Sequence, residues 1–148
     1  MRIINYCLCL KYPFLRIRNR WTDVAQNYSS TEIDFLPKGW RKAWGLKICK
    51  ELNQCFKKSN EKDFAKQYRI SQIKEKYGSL RWYDNGFPQD IEKECNAIIS
   101  KYEKLSENTC IMCGKNAKII NNGGWYEPLC PKCQHKIEKK KERLLWKK

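Results

Sequence analysis

Two pairs of cysteines near the C-terminus constrain this 148-residue chain more than any other feature. Cys110 and Cys113 form the first pair, and Cys130 and Cys133 follow after sixteen intervening residues. A pair with this spacing presents two thiolates to one ion from a single tight turn, and the interval is typical of two-knuckle zinc sites. The sequence therefore predicts one structural Zn²⁺ held by these four residues. Four ordinary thiols, or a redox-active pair, are the alternatives.

The residues around the pairs indicate how such a site is built. Gly114 follows the first pair, where a positive φ helps the turn to close. Residues 121–124 read Asn-Asn-Gly-Gly, which is a strong signal for a hairpin turn. Pro131 suits the first turn of a helix predicted over residues 134–146. Knuckle, hairpin and helix in this order predict a treble-clef-like zinc module.

The remaining cysteines predict a reducing compartment. Nine cysteines are an odd number, and two Cys-x-x-Cys pairs fit poorly into a disulfide framework. The N-terminus lacks a convincing signal peptide, and no run approaches the ~20 apolar residues of a membrane span. We therefore expect a cytoplasmic protein without a membrane partner. Cysteines outside the two pairs are expected to be dispensable for metal, as small core residues: Cys7, Cys9, Cys49, Cys55 and Cys95.

Residues before the cysteine pairs show helix and strand patterns. Residues 1–37 are basic and interrupted, which predicts irregular structure with at most two short extended pieces. Apolar residues four apart predict a helix over residues 38–58. Residues 68–84 predict a β-hairpin with a bulge near Gln72. Asp90 is a predicted N-cap for the next helix.

These elements predict an α+β fold, in which two helices and a β-hairpin are followed by the treble-clef-like module with its four cysteines and a basic C-terminal helix. The composition changes at residues 106–109. We therefore expect an α+β domain with a basic N-terminal arm over residues 1–106, and the zinc module with its helix over residues 107–148.

The histidine content argues against catalysis. His135 is the single histidine of the chain. Treble-clef nucleases of the His-Asn-His type need two or more, and any Ser/His/Asp or Cys/His triad would have to use this one. No phosphate loop or dinucleotide fingerprint is present. The sequence therefore predicts that the protein is not an enzyme, and that His135 is a solvated or capping residue of the first helical turn.

The charge balance indicates an anionic partner. The chain has 31 Lys and Arg against 16 Asp and Glu, a net charge of +15. Four thiolates and one Zn²⁺ would lower it only to about +13. Such a charge predicts attraction to phosphate backbones, anionic membranes or acidic proteins. Candidate phosphate-contacting residues lie on the hairpin and on the final helix: Lys74, Lys76, Arg81, Lys139, Lys140, Lys141 and Arg143. The alternatives are a solvated helix face and a hairpin whose aromatic residues belong to the core.

Four segments together resemble a family of small, mostly uncharacterised phage and prophage proteins: residues 12–21, 37–45, 72–83 and 110–133. The resemblance implies a phage origin and the cytoplasm of an infected bacterium, but no shared activity. Two functions remain open. One is a non-catalytic, zinc-stabilised binder of RNA, DNA or a ribonucleoprotein, which uses Lys and Arg of the N-terminal arm, the hairpin and the final helix. The other is a counter-defence protein that inhibits a host nuclease, such as a CRISPR effector, through protein contacts. The oligomeric state also remains open.

Overall fold

A computed structural model describes residues 3–145 of the chain. It shows an α+β fold with two antiparallel β-hairpins, each a separate two-stranded sheet. The elements in chain order are α1 (Ile3–Lys11), α2 (Lys38–Trp40), a π-helical turn (Arg41–Gly45), α3 (Leu46–Phe56), α4 (Phe64–Gln67), β1 (Ile70–Lys76), β2 (Ser79–Asp84), α5 (Glu92–Glu107), β3 (Lys118–Asn121), β4 (Tyr126–Leu129) and α6 (Pro131–Leu145).

The N-terminal arm differs from the prediction, because its first residues form the helix α1. This helix has little amphipathic character, since Ile3, Ile4 and Leu10 are exposed while Cys9 is buried. A tertiary contact holds it: the buried Asn5 amide donates to the carbonyl oxygens of Tyr28 and Ser29, at 3.1 and 3.0 Å. The predicted order of two helices and a hairpin is therefore incomplete at its start.

The helix predicted over residues 38–58 is confirmed as the continuous run of α2, the π-turn and α3. It buries one apolar stripe: Trp40, Trp44, Ile48, Leu52 and Phe56. A strict spacing of four drifts around an α-helix of 3.6 residues per turn. The wider π-turn at Arg41–Gly45 rotates less per residue and offsets part of that drift, so both tryptophans stay on the buried side.

The first hairpin is also confirmed, with its bulge between Ile70 and Gln72. Ile73, Leu80 and Trp82 project from one face into the core. The Leu80 amide donates to the Ser106 hydroxyl on α5, at 2.8 Å. This contact joins β2 to the end of the helix that leads into the first cysteine pair.

Asp90 does not cap α5, so that prediction is wrong. The helix begins at Glu92, and the flanking Ile91 offers no side-chain cap. The Asp90 carboxylate instead accepts hydrogen bonds from the Asn60 amide, at 2.7 Å, and from the Ser59 hydroxyl, at 3.4 Å. A loop that is distant in sequence therefore uses the predicted cap residue.

Four cysteines outside the two pairs belong to the main core, as predicted: Cys9, Cys49, Cys55 and Cys95. Cys55 of α3 and Cys95 of α5 meet where the two helices pack, with their sulfur atoms 2.9 Å apart. Burial raises the pKa of the Cys49 thiol to about 12, which keeps that thiol protonated. Cys7 is exposed on α1, so the expectation of a core position is wrong for this residue.

Candidate metal centre

The four paired cysteines converge on one point. The sulfur atoms of Cys110, Cys113, Cys130 and Cys133 all lie within 4.8 Å of one another, and the Cys113 and Cys130 sulfurs are 3.6 Å apart. A tetrahedral ion with Zn–S bonds of ~2.3 Å needs sulfur separations of about 3.8 Å. Three of the cysteines are buried and Cys113 is half-buried. The cluster therefore has the geometry and the donor set to hold a metal ion.

Backbone hydrogen bonds shape the first cysteine turn. The Gly114 amide donates to the Cys110 carbonyl at 2.9 Å, and the Cys110 amide donates to the Lys115 carbonyl at 2.7 Å. Gly114 has a φ of +81°, as its position in the turn predicted. The Ile111 amide donates to the Pro128 carbonyl of β4, at 2.9 Å. The first turn is thus tied to the second hairpin.

The second pair lies where β4 passes into α6. The amides of Cys133 and Gln134 both donate to the Cys130 carbonyl, at 3.0 Å. The helix begins at Pro131, three residues before the predicted start, and Pro131 has no amide proton to leave unpaired. Cys133 therefore lies in the first helical turn. The predicted last residue, Trp146, lies outside the described residues.

The electrostatics of the cluster favour a bound cation. Burial opposes ionisation of the Cys110 thiol, but the backbone N–H groups of Cys130, Cys113 and Met112 outweigh it and lower the pKa of Cys110. Burial also raises the pKa of the Cys133 thiol, and there the contacts with the other three cysteines raise it further. Four thiolates at this distance repel one another, so full ionisation requires a positive ion between them.

The first cysteine turn packs against the start of the helix at residues 38–56. The Gly39 amide donates to the Ile111 carbonyl at 2.8 Å. The indole N–H of Trp40 donates to the Thr109 carbonyl at 2.7 Å, and that of Trp44 donates to the Thr109 hydroxyl at 3.3 Å. The cysteine cluster is therefore connected to the main core through buried hydrogen bonds.

His135 lies outside the cluster. Its side chain is exposed on the first turn of α6, and its Nδ1 is 3.9 Å from the Glu138 carboxylate. This is the solvated position that the sequence predicted. The four cysteine sulfurs, without the imidazole, make up the group that could hold the ion.

The three candidate cations of the first hairpin share one face. Lys74 lies opposite Arg81 in the strand register, and Lys76 lies opposite Ser79. The Lys74 ammonium is 5.3 Å from the centre of the Tyr83 ring on the same face. Trp82 belongs to the opposite face, where its indole N–H donates to the buried Tyr68 hydroxyl. The hairpin thus divides its aromatic residues between the core and the cationic face.

The candidate cations of α6 are all exposed: Lys139, Lys140, Lys141 and Arg143. Lys141 reaches back to the second hairpin, where its ammonium donates to the Asn122 side chain. Ile137 packs against the cysteine cluster, whereas Leu144 is exposed and does not extend that contact.

The structure also brings together a group of cations, three of them from the N-terminal arm, that the sequence analysis did not name individually. Arg16, Arg18 and Arg20 surround a cavity together with Arg69, and Glu32 is buried among them. Alternate spacing places the first three arginines on one side of an extended chain, and this signal was available in the sequence. Arg69 and Glu32 join the group only through the fold.

Neither protein-family models, nor curated proteins, nor solved structures give a match to this chain. Over residues 3–145, no helix combines the length and apolar character needed to cross a bilayer. The resemblance to phage proteins therefore stays a prediction.

Proposed function

We propose that this protein is a non-catalytic, zinc-stabilised nucleic-acid-binding protein that acts in the cytoplasm of a phage-infected bacterium. The observation that carries the proposal is the position of α6. The helix begins inside the cysteine cluster and presents four exposed cations beyond it. Such a helix offers a fixed row of charges to phosphate groups.

The cations of α6 are available for an external partner. Four of these cations lie on one side of the helix, because each is three or four residues from another member of the set: Lys136, Lys139, Lys140 and Arg143. Within residues 3–145, none of these four side chains has a carboxylate within ion-pair distance. The acidic groups of the described chain therefore leave this charge uncompensated at close range.

Zinc is the proposed ion, with one per chain, because a closed set of four thiolates is typical of structural zinc. A knuckle, a hairpin and a helix that carries the second pair support a treble-clef arrangement. The ion would hold the base of α6 against the second hairpin, and the four cysteines leave no ligand position for a substrate. The cationic face of the first hairpin would add Lys74, Lys76 and Arg81 to the binding surface, with Tyr83 as a stacking group.

Charge reversal on α6 tests the proposal. The variant with Lys139, Lys140, Lys141 and Arg143 changed to Glu should bind free RNA or DNA more weakly, by a similar factor for all sequences. Each lost phosphate contact should flatten the slope of log affinity against log salt by ~0.7 for a single strand and ~0.9 for a duplex. Gel-shift titrations over a range of salt measure both quantities, and metal analysis shows whether the cysteine cluster is intact.

A matched control changes four exposed lysines on or next to α3 and α5 to Glu, which alters the net charge equally: Lys47, Lys50, Lys57 and Lys93. This control should retain most of the affinity. Tight binding to a host nuclease, with weak binding to free nucleic acid from the start, would favour the counter-defence function instead. If both variants lose the same amount of affinity for nucleic acid, the cations of α6 are a solvated helix face and not a specific binding surface.

The absence of catalysis is a separate prediction. Labelled RNA and DNA incubated with the protein and with Mg²⁺ or Mn²⁺ should remain intact, because one exposed imidazole cannot serve as both metal ligand and general base. Denaturing gels measure the strands over time. Cleavage that disappears in a His135→Ala variant would show that the protein is an enzyme.

A further inference from the structure

The indole ring of Trp21 lies almost entirely in solvent. Its side chain is 95% exposed, on the turn that follows the arginine-rich segment. Tryptophan is highly buried on average in folded proteins, because a large apolar ring is costly to leave in water. The tryptophans of the core follow that rule: Trp40, Trp44 and Trp82. An indole ring presented to solvent in this way indicates a surface that a partner covers.

Hydrogen bonds hold the turn that presents Trp21. The Asn19 side-chain oxygen accepts from the amides of Trp21 and Thr22, at 2.9 and 3.0 Å. The Asp23 amide donates to the Asn19 carbonyl at 2.8 Å, and the Asn19 amide donates to the Val24 carbonyl at 2.9 Å. The backbone beneath the ring is therefore already fixed, so a partner that covers the ring has little of the loop to order.

An ion-pair network ties this turn to the rest of the fold. The Asp23 carboxylate accepts from the Nε groups of Arg18 and Arg69, at 2.6 and 3.2 Å. These hydrogen bonds lower the pKa of Asp23, so the carboxylate stays ionised at neutral pH. Arg69 directly precedes β1 and also donates to the Tyr68 carbonyl at 3.0 Å. The position of the turn relative to the first hairpin is thus set by Arg69.

The cations beside Trp21 exceed the ionised carboxylates. Arg20 is exposed, and within residues 3–145 it has no carboxylate in ion-pair distance. Asp23 takes the Nε–H of Arg18, which leaves the two terminal nitrogens of that guanidinium for another acceptor. Burial raises the pKa of the nearby Glu32 carboxyl to about 7, so this group is only partly ionised at neutral pH. The surface therefore keeps a positive charge in a form that matches phosphate oxygens.

A second exposed aromatic residue lies close to this surface. Phe35, on the 3₁₀ turn Glu32–Phe35, lines an open cleft together with Arg20 and Trp21. The cleft has a volume of about 390 Å³, well above the ~150 Å³ that accommodates benzene, so it admits bases of one or two rings. Aromatic rings and guanidinium groups thus lie side by side, as they do in proteins that bind single strands.

We propose that Trp21 and the arginines beside it bind single-stranded nucleic acid. One base stacks on the indole ring of Trp21, and Arg18 and Arg20 contact the phosphates next to that base. A strand repeats a base and a phosphate at every nucleotide, so one partner accounts for both the exposed ring and the uncompensated cations.

The inference deepens the proposed nucleic-acid function and rests on it, because it specifies an unpaired strand where a row of phosphate contacts on α6 would also accept a duplex. In a duplex each base is stacked between its neighbours. Both faces of that base are then covered, and an exposed indole ring gains a stacking partner only from an unpaired base.

Binding to one unstructured strand, and to the duplex that it forms with its complement, tests the inference. Trp21→Leu should weaken binding to the strand by about tenfold, within the range for the loss of one stacked base, and should leave binding to the duplex unchanged. Val24→Ala is the matched control, because it shortens an exposed apolar side chain of the same turn. This control should change neither affinity. Fluorescence anisotropy of the labelled strand and duplex measures both.

Trp21→Phe and Arg20→Gln separate stacking from charge. Trp21→Phe keeps an aromatic face, so it should retain most of the affinity for the strand. Strand binding should quench part of the tryptophan emission of the wild type, and Trp21→Phe should lose that part. Arg20→Gln should flatten the slope of log affinity against log salt by ~0.7, whereas Trp21→Leu should not change the slope. The thermal midpoints of the Trp21 variants should equal that of the wild type, because the exposed ring supports no packing.

Three results would overturn the inference. One is an affinity for the strand that is unchanged in Trp21→Leu, or that falls equally for strand and duplex. Another is a mononucleotide, AMP or UMP, that binds as tightly as the strand, because the turn would then serve a free nucleotide. The third is a host protein whose capture requires Trp21 while strand binding does not, which would assign the turn to a protein interface.

The α6 reversal variant separates this inference from the proposed function. If strand binding is unchanged in that variant but falls in Trp21→Leu, the proposed role of α6 is wrong and the turn is the binding site. If the reversal weakens strand binding and Trp21→Leu does not, the inference about the turn alone is wrong.

Discussion

Cys110→Ser and Cys133→Ser are each expected to remove the zinc and to unfold residues 110–145. Either substitution replaces a thiolate with a hydroxyl that binds zinc poorly, and it leaves three mutually repelling sulfurs. Structural zinc contributes an apparent ~10–16 kcal/mol in small zinc modules, which is comparable to the total stability of a typical domain at ~5–15 kcal/mol. The second hairpin is small, with an apolar cluster of few residues, so it has little else to hold it.

Three measurements test the expected loss of zinc and of folded structure. Elemental analysis should give one zinc per wild-type chain and close to none in either variant. Circular dichroism should show a loss of helix from α6, and limited proteolysis should cut within residues 110–145. Cys7→Ser is the matched control, because Cys7 is exposed on α1 and lies outside the cluster. Retention of zinc by both variants, or iron in place of zinc in the wild type, would contradict the zinc assignment.

The cysteine cluster was predictable because its signal is local. Paired cysteines, Gly114 and the turn at residues 121–124 each specify a short piece of backbone, and these pieces fit together in chain order. The helix at residues 38–56 and the first hairpin were predictable for a similar reason, since an apolar period sets which face is buried. Boundaries were less accurate, as the start of α6 at Pro131 shows.

Features that depend on contacts between distant residues were missed. Asn5 holds α1 through carbonyl groups more than twenty residues away, and Asp90 serves a loop thirty residues earlier in the chain. Neither partner is visible in the local sequence. Glu32 presents the same difficulty, because nothing near it in the chain shows that the fold buries its carboxylate among arginines. Sites built from tertiary contacts require the structure.

Gly39→Ala is expected to destabilise the protein by about 3 kcal/mol, although alanine normally favours a helix over glycine by ~1 kcal/mol. A Cβ atom at Gly39 would overlap the Cys110 carbonyl oxygen and lie 2.7 Å from the Gly114 amide nitrogen. Both are backbone atoms of the first cysteine turn, and a Cβ atom at Gly114 would in turn lie 2.6 Å from the Gly39 carbonyl oxygen. The backbone at Gly39 and the backbone of the cysteine turn are in direct contact, so neither can make room for a Cβ atom without disrupting the turn.

The expected loss therefore reaches the metal site, even though all four cysteines remain. Separation of the helix from the turn would break the hydrogen bonds that Gly39 and Trp40 donate to Ile111 and Thr109. Denaturant unfolding followed by tryptophan fluorescence measures the stability, and transfer of zinc to a coloured chelator measures its release. Gly45→Ala is the matched control in the same helix, because the atoms nearest to its Cβ would be side-chain atoms of Ile33 and Arg41, at 3.1 Å or more, and not backbone. If Gly39→Ala matches Gly45→Ala in stability and in zinc release, the helix does not support the metal site.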